Sequence, residues 1–331
     1  MTRYPWHERY WRQLSERFAS GKLPHALLIS GAAGMGKRTF AEQFAQALLC
    51  ASPGSLMQPC GECKPCVLFA AGNHPDYALV APEEEGKRIP VDAIRGLSEF
   101  LTLTQHYGPH KLALIAPADA MNRNAADALL KTLEEPPANS VLLLLSERPA
   151  LLPATIRSRC QQLRFSQPPV DDVKAWLKDQ LKSDDDLDML LDLSGNSPLQ
   201  VLALKEQDYR GIRDTVLRDL SELAADRSHP VVIAEQWAGM DNADDVLKIC
   251  STLLRDLGRI RLGAAKHFID HEDRWDSLQE LSKRIDLHAI FRISDSIFEA
   301  LGLLQGTTNV RTQDLLEEIS FEWHAATHVA R

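Results

Sequence analysis

Residues 31–39 read GAAGMGKRT. Glycines at 31, 34 and 36 let backbone N–H groups turn inward around an oxyanion, and Lys37 can reach the outer phosphates of a nucleotide. The next position in such loops is Ser or Thr, whose hydroxyl holds Mg²⁺. Here it is Arg38, and Thr39 falls one place late. Neighbours on a helix point ~100° apart, so Thr39 cannot take over the metal. Hydrolysis also needs an acid at the end of a neighbouring strand, to hold the metal and orient water. The candidate segment is KLALIAPADAM (111–121), which offers Ala116 and Pro117 where acids belong. Asp119 comes later and reads as a turn or cap residue. Two separate metal-handling parts are therefore missing. Gly31, Gly34, Gly36 and Lys37 are expected to hold at most a phosphate-bearing ligand, without Mg²⁺–ATP hydrolysis. The competing reading is a glycine-rich strand–helix turn with no ligand.

Four of the six cysteines fall between residues 50 and 66. Cys50, Cys60, Cys63 and Cys66 form C-x9-C-x2-C-x2-C, with Gly61 and Pro65 shaping the turns. Tight C-x2-C spacing brings two thiolates to one tetrahedral ion, and four close its shell. A closed shell leaves no place for a reacting water, so the expected ion is structural Zn²⁺. A redox C-x-x-C pair or unrelated thiols are the alternatives. Cys160 and Cys250 stand alone and read as buried thiols. The SRC segment at 158–160 places Arg159 at the end of the last strand–helix alternation. On chemistry alone, such an arginine is a surface ion pair.

These groups need a scaffold. HALLIS (25–30), YALVAP (77–82), KLALIAP (111–117) and VLLLLS (141–146) are strand-like runs. Helical periodicities at 40–50, 91–103 and 124–135 alternate with them, the last stopped by Pro136 and Pro137. Alternation of this kind implies an α/β domain with a parallel sheet. QPP at 167–169 marks a boundary, beyond which strand signals stop. Residues 171–205 read as small helices around LSGNSP (193–198), and SDDD (183–186) as a solvated turn and helix start. Helical patterns at 214–225, 244–262, 288–304 and 312–323 fill the remainder. The expected division is an α/β domain at 1–166, with its insert at 50–66, a small helical domain at 167–206 and an all-α domain at 207–331.

Acidic residues outnumber basic ones by 46 to 37, for a net charge of -9. This argues against a protein that grips nucleic acid over its whole surface. No apolar run approaches the ~20 residues of a membrane helix. The opening MTRYPWHERYWRQ has no apolar stretch of the secretory kind. A cytoplasmic protein is expected, with no membrane partner.

Several ordered segments resemble the bacterial clamp-loader family of the AAA+ class, part of the DNA polymerase III holoenzyme. They are HALLISGAAGMGK (25–37), the cysteine insert, GNHPDY (72–77), VDAIR (91–95), ALLKTLEEPP (128–137) and SRC (158–160). The resemblance spans residues 20–165. It implies an AAA+ (RecA-like P-loop) domain, a helical lid and a collar that joins a hetero-pentameric ring. Members that hydrolyse ATP keep the loop Ser/Thr, an Asp-Glu pair and a sensor arginine; here GNSPL puts Pro198 at the sensor position. What the family pattern then implies is a subunit that turns over no ATP itself. Its Arg159 would complete the ATP site of a neighbour. Implied partners are gamma/tau-type ATPase subunits and a delta subunit, and through the complex a sliding clamp and primed DNA during replication. Membership in a polymerase assembly does not make the chain a polymerase, and it shows no residue set for nucleotidyl transfer. The alternatives are an active clamp-loader ATPase with a variant loop and a zinc-containing nucleic-acid-binding protein.

Overall fold

The computed structural model describes residues 3–54, 57–84, 86–181, 187, 190–191, 194–206, 208–240, 243–304 and 310–328. The SDDD stretch at 183–186 and Leu193 of LSGNSP lie outside them. The chain divides into two compact units. One is Met1–Asp184 with Asn196–Gln200; the other is Asp185–Gly195 with Val201–Arg331.

The first unit is built on five strands: β1 (Ala26–Ser30), β2 (Tyr77–Val80), β3 (Lys111–Ile115), β4 (Ser140–Ser146) and β5 (Gln161–Arg164). Their order is β2-β3-β4-β1-β5, and every pairing is parallel. Successive side chains alternate between the two faces of a strand. Leu27, Ile29, Leu112, Leu114 and Leu143 enter one core with Trp11, Phe40 and Phe44. Ala26, Leu28, Ala113, Ile115, Leu142 and Leu144 enter the other, with Ile94, Leu97 and Leu129. Both faces being covered, β1, β3 and β4 read as continuous apolar runs, as buried parallel strands should.

The sheet order corrects one expectation. β3 is not the neighbour of the strand that feeds the glycine loop; β4 lies between them, Leu28 pairing with Leu144 and Leu114 with Leu143. The ends of β1, β4 and β3 therefore stand side by side at the loop edge. The sequence reading also missed β5. Its residues QQLR are polar because it is an edge strand with little of it buried.

Helices α1 (Glu8–Ala19), α2 (Lys37–Leu49), α3 (Lys64–Ala70), α4 (Val91–Thr102), α5 (Arg123–Glu134), α6 (Ala154–Arg159) and α7 (Val170–Gln180) complete this unit. Asn122 caps α5, its Oδ1 accepting from the Ala125 amide at 2.8 Å. A further helix, α8, runs Pro198–Glu206.

The second unit contains α9 (Tyr209–Ala224), α10 (Pro230–Ala238), α11 (Ala243–Arg261), α12 (Trp275–Ser282), α13 (Leu287–Leu304) and α14 (Thr312–His328). Trp237, Trp323, Leu253, Leu257, Ile293 and Ile297 form its core. The two indoles bring polar N–H groups inside, and each is satisfied. Trp237 Nε1 donates to Asp219 Oδ2, and Trp323 Nε1 to the Leu220 carbonyl, both at 2.9 Å.

Candidate functional site

The glycine loop joins β1 to α2, so the positive end of a helix faces it. Gly34 and Gly36 have φ of 70° and 75°, which L side chains rarely adopt. Close approach adds a second reason for glycine. A Cβ on Gly34 would stand 2.2 Å from Ser197 Oγ, and one on Gly36 would stand 2.6 Å from the Tyr4 ring.

The chain's own groups hold the carbonyls of this loop. Ala32 O accepts from Lys37 Nζ at 2.6 Å, and Ala33 O from Ser197 Oγ at 2.5 Å. Gly34 O accepts from the Leu199 amide at 3.1 Å. Met35 O takes Trp6 Nε1 at 3.1 Å and pairs with His7 Nε2 at 2.8 Å. An aromatic layer backs these bonds. Tyr4 stacks on Trp6 with ring centroids 5.0 Å apart, and Trp176 of α7 meets both edge-on. Burial drives the His7 pKa down to about 4, against a smaller upward pull from the Met35 carbonyl.

Lys37, 6 % exposed, also pairs with Glu147 at 3.2 Å. Glu147 directly follows β4, the strand placed between β1 and β3. A phosphate bound here would meet a carboxylate already on its lysine. Arg38 turns outward to Glu42 at 2.9 Å, so no hydroxyl stands at the metal-ligand position. After β3 come Ala116 and Pro117, and Asp119 sits in a short 3-10 turn with its Oδ2 3.6 Å from Arg148 Nε.

Arg159 closes α6. Its guanidinium reaches Glu134 at 2.6 Å and the Thr155 carbonyl at 3.1 Å, and it remains 36 % exposed. Glu134 is the last residue of α5, so ALLKTLEEPP and SRC meet through this pair.

Cys50 follows α2, Cys63 caps the N-terminus of α3, and Cys66 lies in its first turn. Cys50 Sγ is 3.5 Å from Cys60 Sγ and 3.9 Å from Cys63 Sγ; Cys60 and Cys66 are 4.0 Å apart. All four sulfurs lie within 4.8 Å of one another, and none is in a disulfide. Zn–S bonds of ~2.3 Å in a tetrahedron put sulfurs ~3.8 Å apart. The spacing matches, so the four thiols can hold a metal ion. The Cys63 and Glu62 amides hold the Cys60 thiol down to about 6.

Sequence reasoning found the loop, the arginine and the cysteines but missed Tyr4, Trp6, His7, Glu147, Trp176 and Ser197. The density of aromatics in RYPWHERYW was the available signal. Glu147 and Ser197 carried none, because only the fold brings them to the loop.

Two family models match this chain. One, described as "DNA polymerase III, delta subunit", matches residues 6–169; the other, its "C terminal", matches residues 207–325. The chain is 31% identical to the DNA polymerase III subunit delta' of Escherichia coli, over 96% of this chain and 94% of that one. The chain belongs to the delta-prime family of DNA polymerase III subunits. Its identity to the delta' subunit of Pseudomonas aeruginosa is 43% over 71% of each chain. To that of Haemophilus influenzae it is 35%, over 94% of this chain and 97% of that one. The delta-prime family accounts for the α/β and all-α halves together, since the two models cover both. Among the described residues, no helix is long and apolar enough to cross a membrane.

Proposed function

We propose that this delta-prime family member is the non-hydrolysing subunit of a clamp-loader ring, working in the cytoplasm. It lends Arg159 to the ATP site of an adjacent gamma/tau-type subunit while a sliding clamp is placed on primed DNA. The observation that carries this is the state of the chain's own loop. Lys37 is engaged by Ala32 and Glu147, and Arg38 and Ala116-Pro117 stand where metal-handling groups are needed. Arg159, by contrast, remains partly exposed at the end of α6. An arginine with no phosphate of its own to serve can serve a neighbour's.

In this reading, residues 1–166 form the AAA+ domain, 167–206 the lid, and 207–331 a collar that packs into a hetero-pentamer with a delta subunit. Cys50, Cys60, Cys63 and Cys66 hold a structural Zn²⁺ that folds the insert. Bound there, the ion would supply a closed cross-link and no reactive position. Size-exclusion chromatography of the chain mixed with purified gamma/tau-type and delta subunits tests the reading. Co-elution as one ring is expected. Failure to enter any complex, or ATP turnover by the chain alone, would remove it.

A further inference from the structure

A second group of metal-ligating side chains lies far from the cysteines in sequence, in the all-helical unit. His324 and His328 are four residues apart on α14, which places both imidazoles on one helix face. Their rings stack with centroids 4.2 Å apart and planes inclined by 24°. Asp226, in the turn after α9, holds a left-handed φ of 54° and brings Oδ1 to 3.2 Å from His324 Nε2. One donor atom from each residue lies within 4.8 Å of the others.

We infer that Asp226, His324 and His328 form a surface site for a divalent transition-metal ion, independent of the cysteine cluster. The donor set decides the class of ion. Two imidazoles and one carboxylate suit Zn²⁺, Ni²⁺, Cu²⁺ or Fe²⁺, whereas Mg²⁺ and Ca²⁺ take oxygen ligands. Three protein donors leave coordination positions open, unlike the closed four-thiol shell. Asp226 and His324 also border a surface groove of about 360 Å³, whose wall includes Arg227 and Phe321. An open position on that side accommodates water or an oxygen ligand from outside.

The three residues are already clustered without help from a metal. The i,i+4 pair is fixed by the helix, and α10 and α14 pack together on either side of the turn that carries Asp226. His229, close in the same turn, is not counted as a donor, since its Nδ1 accepts from the Val231 amide at 3.3 Å and caps α10. Binding would tie the end of α14 to the α9–α10 turn, a link the helices otherwise make only by packing and the Asp226–His324 pair.

Titration of the untagged, zinc-loaded full chain with Ni²⁺, followed by calorimetry and by histidine proton NMR, tests the site. One saturable Ni²⁺ is expected, with selective broadening of the His324 and His328 ring signals. His328→Gln should weaken it by at least ~10-fold, the scale of losing a group that supports a metal. Asp226→Asn should weaken it as well, and the double variant His324→Gln/His328→Gln should abolish it. All three positions lie at the surface, so the variants should fold, which circular dichroism would verify. Unchanged Ni²⁺ binding in the double variant, or broadening confined to other histidines, overturns the site.

Discussion

Lys37 Nζ stands 3.2 Å from Glu147 Oε1, so the lysine of the phosphate-binding loop is already paired with a carboxylate delivered by the end of β4. The same ammonium donates to Ala32 O in its own loop. The isolated chain is therefore expected to hydrolyse no ATP above background. Arg38→Ser should not restore activity, because Ala116-Pro117 still supplies no acid for the metal. A coupled ATPase assay checks both. Turnover that disappears in Lys37→Ala would show a working site and contradict the expectation.

The four sulfurs around Cys60 predict one zinc per chain, measurable by elemental analysis of untagged protein kept reduced. Cys63→Ser should lower the zinc content and raise protease sensitivity within residues 50–66. The sheet should keep its stability, since α3 and the insert lie outside the two apolar clusters that flank β1, β3 and β4 apart from Met57, Phe69 and the end of α2. Full zinc occupancy in Cys63→Ser would mean that the cluster is not the ligand set.

Much of this architecture was legible because the central strands are apolar on both faces. Runs such as VLLLL cannot be explained by a solvated surface. β5 was not legible, since an edge strand reading QQLR has no such pattern. α1 was missed for a related reason: its aromatic residues were taken only as evidence against a signal segment, although Trp11 and Leu14 are buried against Phe40 and Phe44. Motif spacing exposed the cysteines and Lys37, which depend on local sequence. Glu147, Trp176 and Ser197 reach the loop through tertiary folding, and no local pattern encodes that.

The GNHPDY segment has a structural explanation. Asp76 is fully buried, accepts from the His106 and Tyr107 amides at 2.9–3.0 Å, and pairs with buried Lys111 at 3.2 Å. Burial pushes its carboxyl upward, but the two amides and Lys111 outweigh that and hold the pKa below its ordinary value. Asp76→Ala strands a buried ammonium at the start of β3 and should cost about 3–5 kcal/mol. Urea denaturation measures this. A loss under about 1 kcal/mol, typical of an exposed pair, would contradict the assignment.

His7 gives the loop a pH dependence. Its ring is wholly buried, and burial holds its pKa near 4, below the usual value near 6.5. Above about pH 6.5 the ring is neutral in folded and unfolded chains alike. Between there and about 4, the unfolded chain takes up a proton that the folded chain refuses, so stability falls as pH falls. Below about 4 the folded state is protonated too, and this contribution levels off. His7→Phe removes the titration while keeping an aromatic ring against Phe40 and Phe165. The urea midpoint of this variant should decline less than that of the unmodified chain across that pH interval. Parallel declines would mean that His7 is not the group responsible.

Arg159 supports the most direct functional test. In the isolated chain its guanidinium rests on Glu134 and the Thr155 carbonyl, an exposed pair that contributes little stability. Arg159→Ala should therefore fold and enter a ring with its partners nearly as the unmodified chain does. An arginine that reaches a transferring phosphate is worth ~10³–10⁵ in rate at its own site. In a ring with several ATP sites only one would face this subunit, so the total ATPase loss should be smaller. Clamp loading, which needs the whole ring, should fall more steeply. Arg159→Lys should restore little, because an ammonium lacks the planar fork that spans two phosphate oxygens. Glu134→Gln separates the two roles of the arginine. It breaks the ion pair but leaves Arg159 in place, so loading should persist or rise slightly if the pair is only a resting contact. Steady-state ATPase and clamp-loading assays on rings carrying each variant decide the matter. If Arg159→Ala rings load clamps at the unmodified rate over a range of ATP concentrations, Arg159 is a surface ion pair and nothing more.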